Sequence, residues 1–294
     1  MQEIATLKRQ LEVDIRKIRY KKGIDLIRLL HEKILSLDYH FSSMRTQEEI
    51  SAMYNPNSYP VYAEFAKDYN STSEKGSNSL LSSFNLSNPY ISAIASITSL
   101  LGRKGSNTTS QDVEVGCIID FTLANTTSLA VVQAESAFIT EGFHELKGEV
   151  LSLFEDYMSV VDYNVSLTRC RKEDDWDVAY RKVDAYFEEL QSEVIANTSK
   201  EYKRNANIEF AINQLVSFID EYDTAVKSAQ KYHSKFERIL DSYQPTPECK
   251  KYLPADYVSL KDDIDQTMSK FRLSYNTAEI KGSKLKEILY GVMY

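Results

Sequence analysis

Apolar residues recur at every third or fourth position over most of this chain, which is the period of a helix that buries one face. From Gln2 to Met44 the run Ile4, Leu7, Leu11, Ile15 and Ile18 resumes after Gly23 as Ile27, Leu30, Ile34, Leu37 and Phe41, with Lys, Arg, Asp and Glu between. This predicts one long amphipathic helix of roughly 65 Å at ~1.5 Å per residue. Ile139, Phe143, Leu146, Val150, Leu153, Tyr157, Val160 and Asn164 step the same way and predict a second long helix over 124–170. A third, over 176–242, is predicted from Trp176, Tyr180, Val183, Phe187, Leu190 and Val194. Beyond the polar patch NTSKEYKRNAN its seam continues through Ile208, Ile212, Leu215, Ile219, Tyr222, Val226, Ala229, His233, Phe236 and Leu240. The heptad-like register there predicts coiled-coil-like packing. After the turn QPTPECKKYLP, the positions Tyr257, Leu260, Ile264, Met268, Phe271 and Tyr275 predict a last helix ending near Leu289.

The junction RCRKEDDWD, residues 169–177, places basic residues at the close of one helix and acidic ones at the start of the next, each suiting the helix dipole. Asp174 or Asp175 is the expected N-cap. Long helices joined by short turns are expected to run antiparallel to their neighbours.

Residues 45–123 break this rhythm. Thr46 and Glu49 have capping-box spacing, Pro56 and Pro60 interrupt the chain, and VYAEFAKDY offers two more helical turns. NSTSEKGSNS and GRKGSNTTSQ read as loops. Between them, SNPYISAIASITSLLGRKG predicts a short helix with Pro89 at its first position and Gly102 beyond its end. Tyr90, Ile91, Ile94, Ile97, Leu100 and Leu101 share one face of it, opposite Ser92, Ser96 and Ser99. In VEVGCIIDFTL, the alternating Val113, Val115, Cys117, Ile119, Phe121 and Leu123 fit a strand, while a helix capped at Ser110 or Asp112 fits the same residues. The expectation is an all-α fold: an elongated antiparallel bundle of about four long helices with coiled-coil-like packing, residues 1–44 and 124–294. A small cap over 45–123 completes it, with short helices, Ser/Asn/Gly-rich loops and, on the strand reading, a short β-hairpin.

Composition changes this picture little. The 294 residues hold only 9 Gly and 6 Pro, in keeping with long helices rather than many turns. The net charge of −8 lacks the basic excess of a nucleic-acid binder, so nucleic acid is not expected as a partner. No run of apolar residues predicts a membrane-spanning helix. The charged start of the chain lacks the apolar segment of a signal peptide. The chain is therefore expected in the cytoplasm if complete, and to be exported if a leader has been removed.

No catalytic, cofactor-binding or metal-binding motif appears, and the protein is not expected to be an enzyme. His31, His40, His144 and His233 have no metal-ligand spacing, and the carboxylates of KEDDWD suit a helix start better than a Ca²⁺ loop. Of the three cysteines, the antiparallel topology brings Cys117 and Cys249 to one end of the bundle and Cys170 to the other. If the protein is exported, a Cys117–Cys249 disulfide is the pairing that topology permits; the alternative is three free thiols.

The apolar segment has three readings: a plug across one end of the bundle, a docking surface for a protein partner, or a membrane-entering element. Long helices with one apolar insertion resemble, in architecture, the α-helical pore-forming toxins of the cytolysin A type. Glu114, Asp120 and Glu135 depart from that pattern by interrupting the apolar region that follows. The expected function is a non-enzymatic structural or protein-interaction bundle that binds a protein partner or its own copies. The resemblance implies the alternative, a pore-forming protein whose residues 89–101 enter a membrane.

Overall fold

The computed structural model describes residues 2–42, 58–64, 67, 110–196, 199–252, 262, 265–266, 269 and 281–291. Among the described residues all regular structure is helical and no strand occurs. The long elements are α1 (Gln2–Ser42), α2 (Ser110–Ser159), α3 (Glu173–Ala196), α4 (Ser199–Ser242) and α5 (Gly282–Tyr290). Single 3-10 turns occupy Leu167–Arg169 and Cys249–Tyr252.

Residues 113–123 belong to α2, so the strand reading and its β-hairpin are corrected. Their alternation is ambiguous because Ile118 is apolar too. The buried set Val115, Cys117, Ile118, Phe121 and Thr122 follows helical steps. The helix that begins at Ser110 also carries part of the expected cap.

Two further boundaries differ from expectation. α2 stops at Ser159 rather than near Cys170. Asp162 takes the left-handed conformation, φ 56°. The amides of Asp162 and Tyr163 then donate to the carbonyls of Ser159 and Met158, closing a Schellman turn. The expected single helix over 176–242 is two helices folded into a hairpin. Arg204 pairs with Glu189 at 3.1 Å and lies 4.6 Å from the Tyr186 ring. In one straight helix residues 189 and 204 would stand roughly 22 Å apart.

The chain divides into two compact units, residues 1–42, 139–228 and 271–294, and residues 43–138 and 229–270. In the first unit α1 runs antiparallel to α3, through Tyr180 to Asp25, Lys17 to Asp184 and Gln191 to the Gln10 carbonyl. It runs parallel to α4, through Arg9–Glu201 at 3.2 Å and Arg16–Glu209 at 2.7 Å. Contacts of Tyr20 with Tyr157 and of Asp38 with Lys147 make α2 antiparallel to α1 as well. α2 and α3 therefore run the same way, contrary to the expected alternation. The connector over 160–172 retraces the chain, so that Trp176 meets Phe154 edge-on at 5.7 Å.

The core follows from the residues. Ile27, Leu30, Ile34 and Leu37 are all buried, as their spacing predicts, each contributing about 1.5–3 kcal/mol of transfer free energy. Tyr20 and Tyr157 stack at 4.1 Å, and each hydroxyl donates to the other residue's carbonyl. Burial pushes both hydroxyls well above their ordinary pKa, which keeps them donors. Gly23 permits this clasp, since a Cβ there would collide with the Tyr157 hydroxyl and stand 3.2 Å from Leu215. α5 lies along the same unit, with Leu285 and Leu289 buried, Lys286 on Asp220 at 2.6 Å and Gly291 (φ 70°) closing it.

In the second unit, described through 110–138 and 229–252 with Tyr59–Tyr62, Tyr62 packs with Val115 and Ile118. Phe121 meets Tyr243 edge-on at 5.3 Å, and Lys235 pairs with Glu135 at 2.5 Å.

Candidate functional site

The N-terminal half of α1 carries two usable faces, and the fold uses the one that periodicity does not favour. Ile4, Leu7, Leu11, Ile15 and Ile18 were expected to line the bundle; instead they point outward, from 72% exposed at Ile4 to 47% at Ile15. The inward face holds Arg9, Val13, Arg16 and Tyr20. Arg9 and Arg16 are partly buried, and their guanidinium groups meet Glu201 and Glu209 of α4. Glu201 is itself buried, so its charge is neutralised by Arg9 rather than by water. On the side toward α3, Lys17 and Lys21 both pair with Asp184, at 2.8 and 2.6 Å. Gln191 bridges the Gln10 carbonyl and the Asp14 carboxylate. This half of α1 is thus held by ion pairs and amide contacts, which leaves its apolar stripe in solvent.

A second feature of the first unit is an open groove of about 810 Å³ between α2 and α4. Glu145, Glu149, Asp156 and Glu221 line it beside Phe210, which is 63% exposed. Partial burial raises the Glu149 carboxyl above its ordinary pKa, and the neighbouring charges of Glu221 and Glu145 and a hydrogen bond with Glu221 add to the rise. Among the described residues no three His, Cys, Asp or Glu side chains gather as a metal site would require.

Cys117 and Cys249, the pair that helix topology singles out, are disulfide-bonded in the second unit with Cα atoms 5.3 Å apart. Cys170 is a free, buried thiol whose pKa is raised by burial and by Asp175. His233 is buried edge-on to Tyr232 at 5.4 Å. His31 is half-buried, and desolvation holds its pKa below the ordinary value. Of the acidic junction, Asp175 accepts the amides of Arg171 and Lys172 from the first turn of α3, which begins at Glu173. It caps from inside the helix, as the acidic partner of a capping box does, rather than as the N-cap residue.

Tyr90, Ile91, Ile94, Ile97, Leu100 and Leu101, the expected cap core or docking face, lie outside the described residues. No helix among the described residues is long and apolar enough to cross a membrane. Comparison with protein-family models, with curated proteins and with solved structures finds no match.

Sequence reasoning found the α1 stripe but assigned it inward. The available signal was the second set of anchors at Arg9, Arg16 and Tyr20, on the opposite side of the same turns. The Tyr20–Tyr157–Gly23 contact was missed, and its one sequence trace is a glycine inside a long helical pattern.

Proposed function

We propose that this protein is a non-enzymatic structural or assembly component that works by binding protein, its long helices meeting along coiled-coil-like seams. The observation that carries the reading is the outward row Ile4, Leu7, Leu11, Ile15 and Ile18 on a helix whose other face is already anchored. Five aliphatic side chains in a continuous helical row are what helix-on-helix recognition uses. A scattered exposed leucine has no such meaning, whereas a contiguous apolar surface does. The Cys117–Cys249 bond supports placement in an oxidising compartment.

Chemical cross-linking in an extract of the cells that make the protein tests this. Wild type is compared with Leu7→Gln/Leu11→Gln, a variant that alters only exposed positions and keeps its circular dichroism. The expected result is a cross-linked protein adduct that the variant loses. Identical adduct patterns in the two would refute the reading.

A further inference from the structure

The exposed row on α1 has an internal symmetry that its role as a generic apolar surface does not require. Its steps run three, four, four and three residues, so the row reads the same in both directions about Leu11. We infer that α1 docks on α1 of a second copy of this chain, antiparallel, about a two-fold axis at Leu11. That inference rests on the interaction reading above and names its partner.

A two-fold interface must be self-complementary, because one patch meets itself reversed. Reversal about Leu11 brings Ile4 opposite Ile18 of the other copy, Leu7 opposite Ile15, and Leu11 opposite Leu11. Every aliphatic side chain of the row then has an aliphatic partner. None of the five is less than 47% exposed, so each has surface to contribute.

The charges beside the row fit the same operation. At 100° per residue Lys8 and Glu12 fall along one edge of the row, and Glu3 and Lys21 along the other. An antiparallel pair sets like edge against like edge. Lys8 then meets Glu12 of the other copy, Glu3 meets Lys21, and each pairing occurs twice. Lys21 already holds Asp184 of its own chain, so Glu3 would join an existing ion pair. A parallel pair would instead bring Arg19, Lys21 and Lys22 of both copies together, and like charges in contact oppose association.

The contact is short. From Ile4 to Ile18 the row spans roughly 21 Å at 1.5 Å per residue. An interface of that size lies at the weak end of specific association, below about 1,200 Å² in total. A reversible dimer with a dissociation constant on the order of 10 µM is the expected strength.

Sedimentation equilibrium of the full oxidised chain, from about 1 to 200 µM to bracket that constant, is the test. Wild type should show a monomer–dimer equilibrium, and Leu11→Asp should weaken it at least about tenfold by setting two carboxylates together on the axis. Lys8→Glu should weaken it as well, while Lys8→Glu/Glu12→Lys should restore it. That rescue depends on the pairing and not on folding. Under oxidation Leu11→Cys should cross-link to itself. Ile4→Cys should cross-link only when mixed with Ile18→Cys. A chain that stays monomeric throughout, a dimer indifferent to Leu11→Asp, or an Ile4→Cys that joins itself each overturns the inference. So does row-dependent sedimentation with anionic phospholipid vesicles in place of the dimer. A monomeric wild type whose extract adducts still vanish in Leu7→Gln/Leu11→Gln overturns this pairing and leaves protein binding standing. Loss of both signals overturns both.

Discussion

Replacing Gly23 by Ala sets two known effects against each other, and the structure fixes which one wins. Glycine inside a helix costs about 0.5–1 kcal/mol relative to alanine, so the change alone should stabilise α1. At Gly23, however, the new methyl would meet the Tyr157 hydroxyl, stand 2.8 Å from Tyr157 Cζ and 3.2 Å from Leu215 Cδ2. Tyr157 is not a flexible tip. It is buried, stacked on Tyr20, and donates to the Tyr20 carbonyl at 3.2 Å. Moving it disturbs that bond and its reciprocal, each worth about 1 kcal/mol, in addition to about 1–3 kcal/mol for overpacking. After the gain in helix propensity the net loss should be about 2–4.5 kcal/mol. Urea denaturation followed by circular dichroism measures it, as a lower midpoint at unchanged slope. Gly148→Ala is the control, since a Cβ there meets nothing within 4 Å. It should stabilise by about 0.5–1 kcal/mol. In a Tyr157→Phe background Gly23→Ala should cost less, because the atom first met is gone. A Gly23→Ala protein as stable as Gly148→Ala would refute the packing argument.

Three other expectations follow from the contacts. The Cys117–Cys249 bond spans 132 residues, so reduction should cost about 2–5 kcal/mol, read as a lower urea midpoint in dithiothreitol; titration of the unreduced, unfolded chain should find one thiol, Cys170. Burial raises the Asp184 pKa, but hydrogen bonds from Lys17 and Lys21 outweigh it and hold the carboxyl below its ordinary range. Its contribution is then complete above the unfolded value near 3.9 and is lost as the pH falls through the lower folded value, so Asp184→Asn should be less stable than wild type at pH 7 and equal to it in strong acid. Glu149 has the opposite sign. Its raised folded pKa makes ionisation unfavourable once the pH rises above about 4.3, so Glu149→Gln should unfold at higher urea than wild type at pH 7 and lose that advantage in acid.

The helical character of this chain was written locally, as was much of its core. Ile27, Leu30, Ile34 and Leu37 are buried together on the face that their three- and four-residue spacing marks out. The scarcity of Gly and Pro pointed the same way. The proximity of Cys117 and Cys249 also followed from helix order, since the two lie in segments that any return of α4 along α2 brings together.

What periodicity left open was direction and face. A stripe shows which residues share a side, not whether that side turns inward, and near Ile4–Ile18 the arginines opposite it found buried or half-buried carboxylates across the helix interface. The same blindness hid the fold-back between α3 and α4, because a heptad pattern reads alike through a straight helix and through a hairpin of two. It also hid the end of α2, where a left-handed Asp162 stops a helix whose apolar steps run on past it. These choices belong to the tertiary structure, because ion pairs, caps and ring stacking act between residues that the chain alone does not place together.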